Sequence, residues 1–206
     1  MTQIKVCGLT STKEAGWLLE EQVDYAGMVL FFPRSKRNIQ PEQAEEIIRT
    51  LGDKIKKVAV VVSPTEEQIG ILEELSFDFI QIHGRIRQEV LERLTIPFLR
   101  AFNVDNMQEY EMYKSCEKCA GYVFDAVTPG SGETFDWKRI PDIPKGDKLF
   151  LLAGGLTPDN VAGAIRYVHP GGVDVSSGVE RDSGQGKDPE KIRAFVKAVR
   201  QTDAAV

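Results

Sequence analysis

Short runs of apolar and β-branched residues alternate along the chain with longer stretches in which apolar positions recur every three or four residues. The runs predict strands at 3–7, 25–30, 57–62, 78–83, 97–102, 121–125, 148–153 and 172–175. In VAVVV (58–62) and FLLA (150–153) apolar side chains follow one another without alternation, the pattern of strands covered on both faces. The intervening stretches carry helix punctuation. Ser11 or Thr12 can cap EAGWLLEE, Pro41 opens EQAEEIIRTLG with Gly52 as its stop, and Pro64 and Thr65 precede EEQIGILEEL. Asp105 suits a cap for the stretch through MYKS, Pro158 stands near the start of DNVAGAIRYV, and Pro189 precedes EKIRAFVKAVR. TFDWKRIPDIP, with two prolines, gives the weakest helical pattern. Eight strand–helix units of roughly 26 residues each are near the size a βα unit needs. An open doubly wound sheet of this length would have fewer strands, so the expectation is an α/β fold, a single (β/α)8 TIM barrel spanning residues 1–206 as one domain. The tail QTDAAV is expected to fray.

Alternate residues of a barrel strand face the lumen and the helices. With Ile4 and Val6 on the helix side, Lys5 and Cys7 point inward. By the same parity Gln81 and His83 share the inner face above Phe79, and Arg100, Asp125 and Asp174 also turn inward. A lumen built for stability alone is filled by branched apolar side chains. Here ionisable groups gather near the carboxyl-terminal strand ends, where active sites of this architecture lie. A buried charge is costly unless paired, so Lys5 should meet Asp174 or Asp125.

Glycine-rich turns follow the last two runs: Gly154 and Gly155 in LLAGGLTPDNV, and Ser176, Ser177 and Gly178 in GVDVSSGVE. Glycines let the backbone approach an anion with its N–H groups, and helix amino termini add a favourable dipole. One such turn means little. Two in consecutive units, after the seventh and eighth strands, predict a phosphate site.

Composition narrows the partners. The 206 residues, 42% of them apolar, can bury a large core, and the net charge of −5 offers no basic face for nucleic acid. No apolar run approaches the ~20 residues that span a bilayer. Met1 leads directly into TQIKVC without a signal-peptide pattern. Three cysteines, an odd number, suit a reducing compartment, so the cytoplasm is expected. The pair Cys116 and Cys119 has no second pair to complete a metal site, and its place before the sixth strand puts it on the amino-terminal face. His169 reads as a surface residue, and Trp17 and Trp137 as packing residues.

Together KVCGLT (5–10), FFPRSKRNI (31–39), IQIHG (80–84), FDA (124–126), GSGETFDW (130–137), LAGGLTPDNV (152–161) and GVDVSSGVE (172–180) resemble the phosphoribosylanthranilate isomerase family nearly end to end. The resemblance implies an Amadori rearrangement of N-(5′-phosphoribosyl)anthranilate to 1-(o-carboxyphenylamino)-1-deoxyribulose 5-phosphate in tryptophan biosynthesis, with no cofactor and no metal. It implies Cys7 as general base and Asp125 as general acid, Arg37 on the anthranilate carboxylate, and His83 and Asp174 as sugar or ring contacts. The partner implied is a small phosphosugar; monomer and homodimer both remain open. A thiolate base needs a cationic setting, since a free thiol titrates near ~8.5. An acid Asp must instead be held protonated, against a reference near ~3.9. One position departs from the family pattern: Glu133 stands where Lys, Arg or Gln is more frequent.

Three rivals can be weighed. A histidine-pathway aminoaldose isomerase would use two aspartates, against the cysteine on the first strand. An indole-glycerol-phosphate synthase would be longer at its amino terminus and rely on lysine and glutamate. A non-catalytic phosphate-ligand regulator would need neither a thiol nor an acid at these positions.

Overall fold

The structure, a computed structural model, describes residues 1–103, 110–125 and 148–205. Nine strands lie in one parallel sheet: β1 (Gln3–Cys7), β2 (Tyr25–Leu30), β3 (Asn38–Ile39), β4 (Lys56–Val62), β5 (Phe79–His83), β6 (Phe98–Asn103), β7 (Cys119–Asp125), β8 (Leu149–Leu152) and β9 (Gly172–Val175). The order β1-β9-β8-β7-β6-β5-β4-β2 closes on itself because β1 also pairs with β2, and the two-residue β3 extends β2 as a short flap. Eight parallel strands therefore form a closed barrel, which leaves no sheet edge to protect. Each strand run expected from the apolar pattern coincides with a barrel strand to within two residues at either end.

The helices are α1 (Thr12–Glu20), α2 (Pro41–Leu51), α3 (Glu66–Glu74), α4 (Gln88–Arg93), α5 (Tyr110–Lys114), α6 (Val161–Val168) and α7 (Pro189–Ala204). Their ends follow local chemistry. The Ser11 side chain accepts from the Glu14 amide, Thr65 and Gln68 form a reciprocal capping box, and Asp188 accepts from Glu190 and Lys191 ahead of Pro189. Gly52 caps α2 at φ 56°, a conformation that favours glycine. The stretch before α6 works differently from the expected proline start. Asn160 accepts the Thr157 amide and donates to the Gly155 carbonyl, so the helix begins at Val161. α4 is a helix the apolar pattern did not reveal; its six residues are too few to establish a period. Asp105, Glu133, Trp137 and the TFDWKRIPDIP stretch lie outside the described residues.

Two hydrophobic layers result. Tyr25, Val58, Val60, Leu99, Ala101, Val123, Leu151 and Ala153 fill the lower lumen. The larger layer lies between sheet and helices and includes Ile4, Val6, Phe98, Phe102, Phe124, Phe195 and Val199. Burial of each large side chain there contributes about 1.5–3 kcal/mol.

One inward assignment is wrong. Leu99 and Ala101 occupy the lumen, which sends Arg100 outward with Phe98 and Phe102. Its guanidinium lies 5.3 Å from the Phe102 ring and 5.4 Å from the Tyr113 ring, and Nη1 donates to the Ile82 carbonyl at 2.9 Å. The physical reason is that a guanidinium can be buried against aromatic faces as well as in a polar lumen.

Candidate active site

β1 and β7 run parallel in one closed sheet, so Cys7 and Asp125, at their carboxyl-terminal ends, share one mouth of the barrel. Asp125 is half-buried and lies two residues beyond the lumen-facing Val123. Cys7 sits beside Gly27, its ladder partner on β2. A Cβ on Gly27 would stand 2.9 Å from the Cys7 sulfur, so any side chain there would displace the thiol.

Below the thiol is an ion pair. Lys5 is fully buried, and its Nζ lies 2.7 Å from Asp174 Oδ2 across the β1–β9 ladder. This settles the expected alternative in favour of Asp174. Burial works against the Lys5 ammonium, but Asp174 and Cys7 outweigh it and hold its pKa above the ordinary lysine value. The same ammonium acts on the Cys7 thiol, two residues further along β1. Burial and, less strongly, the Asp174 carboxylate push the Cys7 pKa up, while the ammonium groups of Lys5 and Lys187 pull it back. Two ammonium groups thus act on the thiol, although desolvation prevails and its pKa stays above the ordinary value.

His83 and Gln81 turn into the same lumen. Their Nε2 atoms lie 2.8 Å apart. With the amide as donor, the imidazole accepts at Nε2 and carries its hydrogen on Nδ1. Burial first, then the charges of Lys5 and Arg100, lowers the His83 pKa to about 4, so the ring is neutral at pH 7. Among the described residues, the buried Gln81 Oε1 and Asp174 Oδ1 have no hydrogen-bond partner.

The two glycine turns interlock at this mouth. Gly154 and Gly155 adopt φ 89° and 63°, which a side chain would strain. Ser177–Val179 forms one turn of 3-10 helix. A Cβ on Gly178 would come within 1.9 Å of the Leu156 carbonyl oxygen, so close packing of one turn on the other requires glycine. Ser176 Oγ donates to the Cys7 carbonyl at 2.9 Å, tying the second turn to the base of the first strand's loop.

Arg37 enters from the loop after β2. Its stem crosses Gly8, where a Cβ would lie 2.5 Å from Arg37 Cδ, and its Nε is 2.5 Å from Glu180 Oε1. The structure thereby brings together Cys7, Arg37, His83, Asp125, Asp174 and the turns at 154–155 and 176–178. Residues that sequence reasoning passed over also belong to this mouth: Glu180, Lys187 and Glu14. The buried Glu14 accepts the backbone amides of Thr10 and Lys187, pinning the loop after β1 to the segment before α7. Contacts between residues 14 and 187 leave no local spacing to read.

Other candidates fall away. Cys119 is buried at the start of β7, on the opposite face, and hydrogen-bonds the Gly121 carbonyl; His169 is exposed at the end of α6. Among the described residues no group of three or more His, Cys, Asp or Glu is placed to hold a metal ion. No described helix is long and apolar enough to cross a membrane.

A parallel barrel whose strand ends carry a thiol beside a buried lysine, a carboxyl group and a double glycine cradle has the layout of a barrel enzyme for phosphorylated sugars. Comparisons with known proteins narrow that class. The family model for N-(5′-phosphoribosyl)anthranilate isomerase matches residues 4–198. The N-(5′-phosphoribosyl)anthranilate isomerase of Streptococcus mutans is 37% identical over 202 residues, covering 98% of this chain and 100% of the relative. A monomeric form generated from the dimeric enzyme of Thermotoga maritima superposes with a TM-score of 0.83 at 32% identity, over 98% of this chain and all of the other. A phosphoribosylanthranilate isomerase in complex with reduced 1-(o-carboxyphenylamino)-1-deoxyribulose 5-phosphate gives 0.78 at 31% identity, again over 98% and 100%. The chain belongs to the N-(5′-phosphoribosyl)anthranilate isomerase family.

Proposed function

We propose that this isomerase converts N-(5′-phosphoribosyl)anthranilate into 1-(o-carboxyphenylamino)-1-deoxyribulose 5-phosphate, with Asp125 as acid and Cys7 as base. The observation that supports the assignment is that both groups stand at the strand ends of one mouth, with the buried Lys5 ammonium on the lumen side of β1 two residues before the thiol. Asp125 protonates the furanose ring oxygen, and the C1′–O bond breaks to leave an iminium. Cys7, as thiolate, takes the C2′ proton, giving an enolamine that tautomerises to the ketone. C1′ is reduced and C2′ oxidised within one molecule, so the reaction is an intramolecular oxidoreduction of the aldose–ketose kind.

Arg37 holds the anthranilate carboxylate through its guanidinium fork. The turns at Gly154, Gly155, Ser176, Ser177 and Gly178 cradle the phosphate. The orphan acceptors Asp174 Oδ1 and Gln81 Oε1 suit sugar hydroxyls, and the neutral His83 offers a hydrogen-bond donor at Nδ1. The reading includes one catalytic domain over 1–206, a cytoplasmic setting for tryptophan biosynthesis and a monomeric or homodimeric state. The chemistry is complete with side chains and substrate alone.

The test is loss of substrate fluorescence on mixing the protein with freshly made phosphoribosylanthranilate. Cys7→Ser and Asp125→Asn should each lower kcat by about a hundredfold or more. Near-parental kcat in both variants would overturn the acid–base assignment.

A further inference from the structure

Arg37 does not stand alone in the loop after β2. Its Nε is bonded to Glu180 Oε1 at 2.5 Å, Lys36 Nζ lies 2.8 Å from Glu180 Oε2, and Lys187 Nζ lies 3.4 Å from Oε1. The Glu180 side chain is only 7% exposed and that of Lys187 is 0%. Lys187 Nζ also donates to the Ser176 carbonyl at 3.1 Å and reaches Ser176 Oγ at 3.3 Å. A single buried carboxylate therefore gathers three cations, and one of those cations is anchored to the turn that holds the Cys7 backbone. Burial would raise the Glu180 pKa, but hydrogen bonds from Arg37 and Lys36 overcome it and the group stays ionised.

A surface ion pair of this kind would merit little attention, since its geometry is loose and screened. This one is different in two respects. The Arg37 stem is pressed against the Gly8 backbone, so its course is set from one side by the loop after β1. The Nε–H is fixed from the other side by a carboxylate that is itself held by Lys36 and Lys187. Among the described residues neither Nη atom of Arg37 has a hydrogen-bond partner. The guanidinium is left with its end-on pair of nitrogens, the edge that grips a carboxylate with two parallel bonds.

We infer that Glu180 is the positioning residue of the carboxylate clamp: it fixes the Nε side of Arg37 so that the Nη edge meets the aryl carboxylate of the substrate. This rests on the reading of Arg37 given above. Glu180 touches no substrate atom in this scheme; it acts through Arg37, and Lys187 supplies the buried countercharge that keeps it in place. Glu180 thereby contributes to specificity, because a fixed fork rewards a substrate with a carboxylate at the matching position and gives nothing to one without it.

The test compares two substrates, N-(5′-phosphoribosyl)anthranilate and its uncarboxylated counterpart N-(5′-phosphoribosyl)aniline, in the parent, Glu180→Gln and the double variant Glu180→Gln with Lys187→Met. The double variant removes the cation that the single change leaves buried without its countercharge. It keeps the question answerable if the single variant does not fold. The parent should favour the carboxylated substrate in kcat/KM. In both variants that preference should fall about tenfold, the scale of one charged hydrogen bond, with the loss in KM for the carboxylated substrate. The ratio of the two substrates cancels any effect on the base, and a merely structural role would leave that ratio unchanged. An unchanged preference in the variants, or a parallel decline on both substrates, would overturn the inference while leaving the reaction intact. A parent that turns over neither substrate would instead overturn the reaction itself, and the role of Glu180 with it.

Discussion

At the scale of single residues, the proposed mechanism turns on how a half-buried thiol is made to ionise. Desolvation and the weaker push of the Asp174 carboxylate raise the Cys7 pKa, and the ammonium groups of Lys5 and Lys187 oppose them, Lys5 more strongly than Asp174 acts, so the rate should climb with pH through the alkaline side of neutrality. Replacing Lys5 by Met together with Asp174 by Asn, which avoids a stranded buried carboxylate, should move that ascending limb to higher pH. Activity at pH 7 should drop about tenfold or more. A pH–rate profile of the double variant that overlays the parent would show that Lys5 does not tune the base. His83 gives a second test. Its folded-state pKa of about 4 lies below the reference value of 6.5, so the unfolded chain binds the proton more readily. The stability it contributes is complete above about pH 6.5 and is lost as the pH falls towards 4. Urea unfolding across that range should therefore show a shallower slope for His83→Gln than for the parent.

At the scale of elements, the loops after β8 and β9 act as one unit because backbone packs on backbone. Gly178→Ala introduces a methyl group within 1.9 Å of the Leu156 carbonyl oxygen, and a carbonyl in a turn cannot move aside as a flexible side chain can. The two turns should separate and KM for the phosphorylated substrate should rise about tenfold or more. Protection against heat by inorganic phosphate should weaken in step; an unaltered KM would refute the coupling. These elements also show what a sequence discloses. The barrel was legible because doubly covered strands such as VAVVV and capped helices such as Thr65–Gln68 carry their geometry locally. Cys7, Asp125 and both glycine turns were legible because each stands at the end of such a strand. Arg100 was not, since in PFLRAF both strand faces are apolar and the parity of one charged residue is undetermined until α5 supplies its aromatic faces. Glu180 and Lys187 were hidden for another reason. Their importance comes from Arg37, 143 residues from Glu180 along the chain, and no periodicity spans that distance.

At the scale of the whole molecule, the two mouths of the barrel divide their tasks. On the amino-terminal side, Asp24 accepts the Ile4 amide at 2.7 Å and Arg200 Nη2 at 3.2 Å, Arg200 donates to the Thr2 carbonyl, and Thr2 bonds Asp203. The last helix is thereby fastened to the first strand. Asp24→Ala should cost about 1–2 kcal/mol in urea unfolding and leave kcat/KM as it was. A large loss of turnover in a folded variant would contradict the division. The Lys5–Asp174 bond also has a consequence for folding. Its two partners stand 169 residues apart along the chain and meet only where β1 pairs with β9. A fragment that stops short of β9 would keep the cysteine and lose the charged setting around it.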